Sequence, residues 1–221
     1  THDVLVARPP ACLTCPMIIP PDSTLLFIGD SITDAGRDPA GEATPWNPRA
    51  GTGHGYVSLV EAWLGTTRPA DRVRVVNRGT SGHTVRDLAA RWQTDVIDRR
   101  PEWLSIMIGI NDVWRQFDTP LRTELAVPLA EYRETLAGLV ARAKPGLRGL
   151  LLATPFFIEP NRSDPMRRRM DEYADEVRKL AAAQGAVLVD TQAAFDEVLV
   201  HTHPMTLAWD RIHPNTTGHL V

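Results

Sequence analysis

Several ingredients are scarce in this sequence, and each scarcity removes a class of function. There is no basic excess: 24 Lys and Arg stand against 27 Asp and Glu, for a net charge of −3. That balance argues against a nucleic-acid-binding domain, which needs a cationic face to meet phosphates. Lysine itself is nearly absent. Only Lys144 and Lys179 are present, so almost every cation is an arginine, a fork suited to fixed pairing. No run of 18 apolar residues exists to cross a membrane as a helix. The opening residues lack the charged start and apolar core of a secretory signal, so the expectation is a cytoplasmic protein. The two cysteines, Cys12 and Cys15, form a lone Cys-Leu-Thr-Cys. Without a second pair they make a poor zinc site, and without a preceding strand a poor redox motif. Two thiols in a proline-rich tail is the plain reading.

What is present is an ordinary globular composition, 43% hydrophobic and 23% charged over 221 residues, enough for one domain. Residues 1–23 read as an extended arm. Pro9, Pro10, Pro16, Pro20 and Pro21 deny it helical or central-strand hydrogen bonds. From residue 24 to 221 strand and helix patterns alternate without a linker. Apolar runs at Thr24–Ile28, Val73–Val76, Leu104–Ile108, Gly149–Ala153 and Ala186–Val189 are nearly continuous, as in strands buried on both faces. Helical patterns follow at Tyr56–Leu64, Thr84–Ile97, Leu129–Ala143, Pro165–Ala183 and Gln192–Val200. Such alternation predicts an α/β domain, a parallel sheet between two layers of helices. Ligands in such folds bind beyond the carboxyl ends of the strands.

The strand ends carry the chemistry. The first run leads into Gly29-Asp30-Ser31, the second into Asn77-Arg78-Gly79-Thr80-Ser81-Gly82, the third into Gly109-Ile110-Asn111-Asp112. Each segment alone has a plain explanation: Ser31 as a helix cap, the glycines as turns, Asn111-Asp112 as a turn and cap. Near the C-terminus Asp210 stands three residues before His213, which Pro214 keeps out of helix. Together the segments supply what nucleophilic ester chemistry needs. A serine needs a base, the base needs an orienting carboxylate, and the developing oxyanion needs preorganised N–H donors.

These four segments resemble the signature blocks of the SGNH hydrolases, also called the GDSL esterase and lipase family. The resemblance implies a three-layer α/β/α fold with a flavodoxin-like parallel sheet. It implies Ser31 as nucleophile, His213 as base and Asp210 as its partner. The oxyanion hole it implies is the Ser31 N–H, the Gly79 N–H and the Asn111 side chain. No metal or organic cofactor is required. Longer runs, among them Leu26–Asp34, Ser105–Gln116 and Asp190–Phe195, are similar to bacterial intracellular acetylxylan esterases. That subgroup implies an acetylated xylo-oligosaccharide as substrate and a cytoplasmic homo-oligomer. The family continues after its histidine into a full C-terminal helix, which here is expected to be cut short.

Candidate sugar contacts are Asp30, Trp46, Trp114, Arg115 and Trp209, the aromatics because their faces stack on sugar C–H surfaces. Core or subunit packing is the competing reading for Trp114 and Trp209. Trp63, Trp92 and Trp103 are expected in the core. No long amphipathic insertion could form a lipase lid, which favours a small acyl group over a lipid. The runner-up activity is a lysophospholipase or thioesterase on the same scaffold. From other classes come a non-catalytic carbohydrate-binding protein and a metal-dependent phosphatase using Asp30, Asp34, Asp210 and His213. The first would be marked by loss of Ser31, Asn111 or His213; the second would leave Ser31 and Asn111 without a role.

Overall fold

The computed structural model describes residues 18–43 and 51–221. Trp46, Cys12 and Cys15 lie outside the described residues, as does most of the expected arm. Five parallel strands form one sheet: β1 (Thr24–Gly29), β2 (Arg74–Gly79), β3 (Trp103–Met107), β4 (Gly149–Ala153) and β5 (Val187–Val189). Their order across the sheet is β2-β1-β3-β4-β5. This is the doubly wound order in which the chain reverses direction between β1 and β3, opening a crevice at the strand ends.

The helices are α1 (Ser31–Asp34), α2 (Tyr56–Thr67), α3 (Val85–Trp92), α4 (Ile110–Asp118), α5 (Leu129–Ala143), α6 (Pro165–Gln184), α7 (Thr191–Leu199) and α8 (Thr216–His219). Their stripes explain their placement. Val85, Leu88 and Trp92 of α3 are buried, as are Tyr132, Leu136, Leu139 and Val140 of α5, at the spacing that puts them on one helical face. They pack on the sheet face carrying Leu26, Ile28, Leu104 and Ile106. The longest helix, α6, is well punctuated. The Asp164 carboxylate accepts the N–H groups of Met166 and Arg167, Pro165 opens the first turn, and Gly185 ends it at φ +61°.

Three expectations need correction. The pattern predicted as one helix over residues 84–97 is α-helical only to Trp92, then widens into a π turn over Gln93–Ile97. Within that turn the buried Asp95 pairs with Arg78 and Arg91. Trp63 is not core: it is 52% exposed on the outer side of α2, whereas Trp92 and Trp103 are buried. Nor is every strand covered on both faces. Val187, Leu188 and Val189 of the edge strand are exposed, and the sheet face with Leu25, Phe27 and Leu151 opens into an apolar groove of about 650 Å³ that reaches Trp63.

Candidate active site

The carboxyl ends of β1, β2 and β3 converge on one cleft of about 640 Å³. Its lining includes Ser31, Gly82, Asn111, Trp114, Trp209 and His213. How the backbone delivers these groups begins with the glycines. A Cβ on Gly29 would collide with the Thr33 hydroxyl, and one on Gly79 with the Asp34 backbone N–H, so α1 is held against both strand ends. Asn77 locks that approach: its side-chain amide donates to the Thr33 and Thr52 carbonyls at 2.6 and 2.9 Å. Asp30 caps α1 by accepting the Ile32 N–H at 3.0 Å. The nucleophile candidate Ser31 is therefore the first residue of a very short, clamped helix.

The Ser31 hydroxyl lies 2.9 Å from His213 Nε2. On the other side of the ring, Nδ1 lies 2.6 Å from Asp210 Oδ2. The carboxylate demands a hydrogen on Nδ1, which leaves the Nε2 lone pair to accept from Ser31. The second Asp210 oxygen accepts the N–H groups of Ile212 and His213 at 2.9 and 2.8 Å, so one side chain both shapes the turn and orients the ring. Burial pushes the Asp210 carboxyl up, but the His213 ring and the two backbone bonds outweigh it and hold it below the ordinary carboxylate value. Arg211 completes the turn in the left-handed region at φ 64°, and its guanidinium pairs with Glu159 and stacks over Phe157.

The oxyanion candidates need one correction. The Gly79 N–H donates to its neighbour Asn77 Oδ1 at 2.8 Å, and Gly79 is buried away from the cleft. Its lack of a side chain serves the close approach of α1. Gly82, three residues on, faces the cleft at φ +81°, and no partner for its N–H is found among the described residues. Sequence reasoning passed over Gly82, although the Ser81-Gly82 step just before α3 was a usable signal: small residues ahead of a helix leave free N–H groups. Asp34 holds this turn from α1 by accepting the Ser81 N–H and hydroxyl at 3.2 and 2.6 Å. Arg91 braces it from below, donating to the carbonyls of Arg78 and Gly29 at 2.6 and 2.8 Å. The Ser31 N–H, at the start of α1, has no preceding helical carbonyl to meet. Asn111 sits in the first turn of α4, its Nδ2 donating to the His83 carbonyl at 2.9 Å.

Of the candidate sugar contacts, Asp30 is displaced: it is 1% exposed beneath Ser31, and burial pushes its pKa up to about 7. Trp114, Arg115 and Trp209 do line the cleft. Trp114 meets the His213 ring edge-on at 6.1 Å, and Trp209 is 78% exposed at the rim. Among the described residues no cluster of three or more His, Cys, Asp or Glu side chains is placed to hold a metal ion. Asp34, one of the carboxylates a phosphatase would need, is engaged with Ser81.

A family model described as the GDSL-like Lipase/Acylhydrolase family matches residues 27–221. An acetylxylan esterase of Geobacillus stearothermophilus is 53% identical over 198 residues, 89% of this chain and 89% of that protein. The solved structure of Axe2, an acetylxylan esterase from the same organism, matches with a TM-score of 0.87 at 51% identity, covering 92% of each chain. LAE5, an alpha/beta hydrolase enzyme from the metagenome of Lake Arreo, matches at 0.88 and 55% identity over 91% of this chain and 92% of that one. Variants of Axe2 described as catalytic replace a serine, an aspartate and a histidine by alanine.

Proposed function

The chain belongs to the GDSL-like Lipase/Acylhydrolase family, and on that premise we propose that it is a serine esterase that removes acetyl groups from xylo-oligosaccharides or related acetylated sugars. The observation that carries this reading is the Ser31–His213–Asp210 relay, with contacts of 2.9 and 2.6 Å, at the mouth of a cleft rimmed by tryptophans. His213 takes the Ser31 proton as the serine oxygen attacks the acetyl carbonyl. The tetrahedral oxyanion is met by the N–H groups of Ser31 and Gly82 and by the Asn111 amide. His213 then protonates the departing sugar hydroxyl, and the acetyl group remains on Ser31 as an ester. Water, deprotonated by the same ring, releases acetate. Trp114 and Trp209 offer apolar faces to the sugar, and Arg115 borders the same wall.

No helix among the described residues is long and apolar enough to cross a membrane. The finer placement, a cytoplasmic homo-oligomer, is part of the same proposal and rests on the resemblance of the runs Leu26–Asp34, Ser105–Gln116 and Asp190–Phe195. Light scattering on the purified chain tests the assembly. The activity is tested by acetate release from acetylated xylo-oligosaccharides, with Ser31→Ala run alongside. Release abolished in the variant supports the reading. A wild-type rate that rises with acyl chain length would instead favour a lysophospholipase or thioesterase.

A further inference from the structure

Arg115 borders the cleft, but both of its terminal guanidinium nitrogens already have a partner on its own helix. One guanidinium nitrogen pairs with Asp118, one turn further along α4. The other lies 3.2 Å from Asn111 Oδ1, one turn back along the same helix. The guanidinium plane also sits over the Trp114 ring, its central carbon 4.9 Å from the ring centre. An arginine already paired, stacked and only about a quarter exposed has little of its fork left for a sugar hydroxyl.

The Asn111 amide has two ends, and the two contacts name them. Oδ1 accepts from Arg115, and Nδ2 donates to the His83 carbonyl. A flipped amide would set its NH₂ against the guanidinium donors and its oxygen against the His83 oxygen, both repulsive. Of the two Nδ2 hydrogens one is spent on His83, which leaves the other for an oxyanion. A cation on Oδ1 also draws electron density from the amide and strengthens that remaining N–H as a donor.

We propose that Arg115 is a positioning residue for ester hydrolysis: its guanidinium fixes the orientation and polarity of the Asn111 amide in the oxyanion hole. This rests on the esterase reading above. It assigns Arg115 to the rate of the chemical step and not to affinity for the sugar.

The test is a double-mutant cycle on a small aryl acetate, an ester too short to reach the sugar rim. Asn111→Ala should lower kcat by about 10²–10³, as for loss of one oxyanion donor. Arg115→Met, which keeps a stem over Trp114 but no charge, should lower kcat by about 10–100-fold with KM within about twofold. Arg115→Lys should recover part of that loss. In the double variant the Arg115 change should cost nothing beyond Asn111→Ala, because the amide it orients is gone. Multiplying losses in the double variant, or an Arg115 effect confined to KM or to oligosaccharide substrates, would overturn the proposal. Equal loss in the Lys and Met variants would do the same, since it would mean that a positive charge beside Asn111 Oδ1 restores nothing. Full activity in Asn111→Ala and Ser31→Ala would remove the esterase reading itself, and the positioning role with it.

Discussion

Asp210 holds His213 at two places at once, the ring through Oδ2 at 2.6 Å and the backbone N–H through Oδ1 at 2.8 Å. The carboxylate is thus both the electrostatic partner of the base and the cap of the turn that delivers it. Asp210→Asn separates these duties. Its oxygen still accepts the backbone N–H groups, while its NH₂ faces Nδ1 and forces the hydrogen onto Nε2. The expected loss in kcat is about 10⁴ with an unchanged melting temperature, the cost of the wrong tautomer. Steady-state kinetics and a thermal melt on the same preparation check it. A variant within tenfold of the wild type would dismiss the orienting role.

Gly79 and Gly82 should fail in different ways. A Cβ at Gly79 meets the backbone of Thr33 and Asp34, which cannot rotate away, so Gly79→Ala is expected to lose about 1–3 kcal/mol of stability or more. A Cβ at Gly82 meets nothing within 4 Å, but the φ of +81° disfavours alanine. Gly82→Ala should therefore remain folded and turn over more slowly, by up to about 10² if the N–H is dragged off the oxyanion. Parallel denaturation curves and kcat values for the two variants decide it. A folded but slow Gly79→Ala beside a fully active Gly82→Ala would return the donor role to Gly79.

Asp112 gives the fold a pH dependence whose sign can be worked out. It is fully buried, it accepts the Val85 N–H at 3.0 Å with Oδ1, and Oδ2 has no partner among the described residues. Burial raises its pKa from 3.8 to about 7. The folded protein then keeps this proton up to about pH 7, whereas the unfolded chain releases it near 3.8. Between those values the folded state binds more protons, so the group costs nothing at low pH and increasingly destabilises as pH rises. Asp112→Asn keeps an acceptor for Val85 and cannot ionise. Its stability relative to the wild type should improve from pH 4 to pH 8, by a few kcal/mol at most given about 1.4 kcal/mol per pKa unit. Urea midpoints at both pH values measure this, and parallel pH dependence in the two proteins would refute it. Asp30, likewise buried and raised to about 7, leaves part of the slope in the variant.

Much of this was legible before any coordinates. The five strands fall where continuous apolar runs stand, because a parallel sheet under helices needs both faces of its central strands apolar. The Leu129–Ala143 helix begins and ends as its stripe predicts. Ser31, Asn111, Asp210 and His213 could be picked out because their residue types are wasted in any plain role when taken together. What escaped was set by long-range geometry. Helix α4 opens at Ile110, so Asn111 and Asp112, residues that favour turns in isolation, stand buried in its first turn. Gly79 and Gly82 lie in one short segment of similar composition. Which N–H is free depends on Asn77 reaching back to Gly79, a contact no spacing rule encodes. Asp30 belongs with them: whether a carboxylate beside a nucleophile faces the cleft or the interior depends on how α1 is tilted, and here it faces inward.

His213 and Asp210 are neighbours on one turn, whereas His213 and Ser31 are 182 positions apart in the chain. The imidazole and Asp210 therefore travel as a single cartridge. Any loosening of the terminal segment widens one gap, the one to Ser31, and leaves the other closed. A displaced segment would then lose its contact with Ser31 while the ring kept its tautomer and its counter-charge.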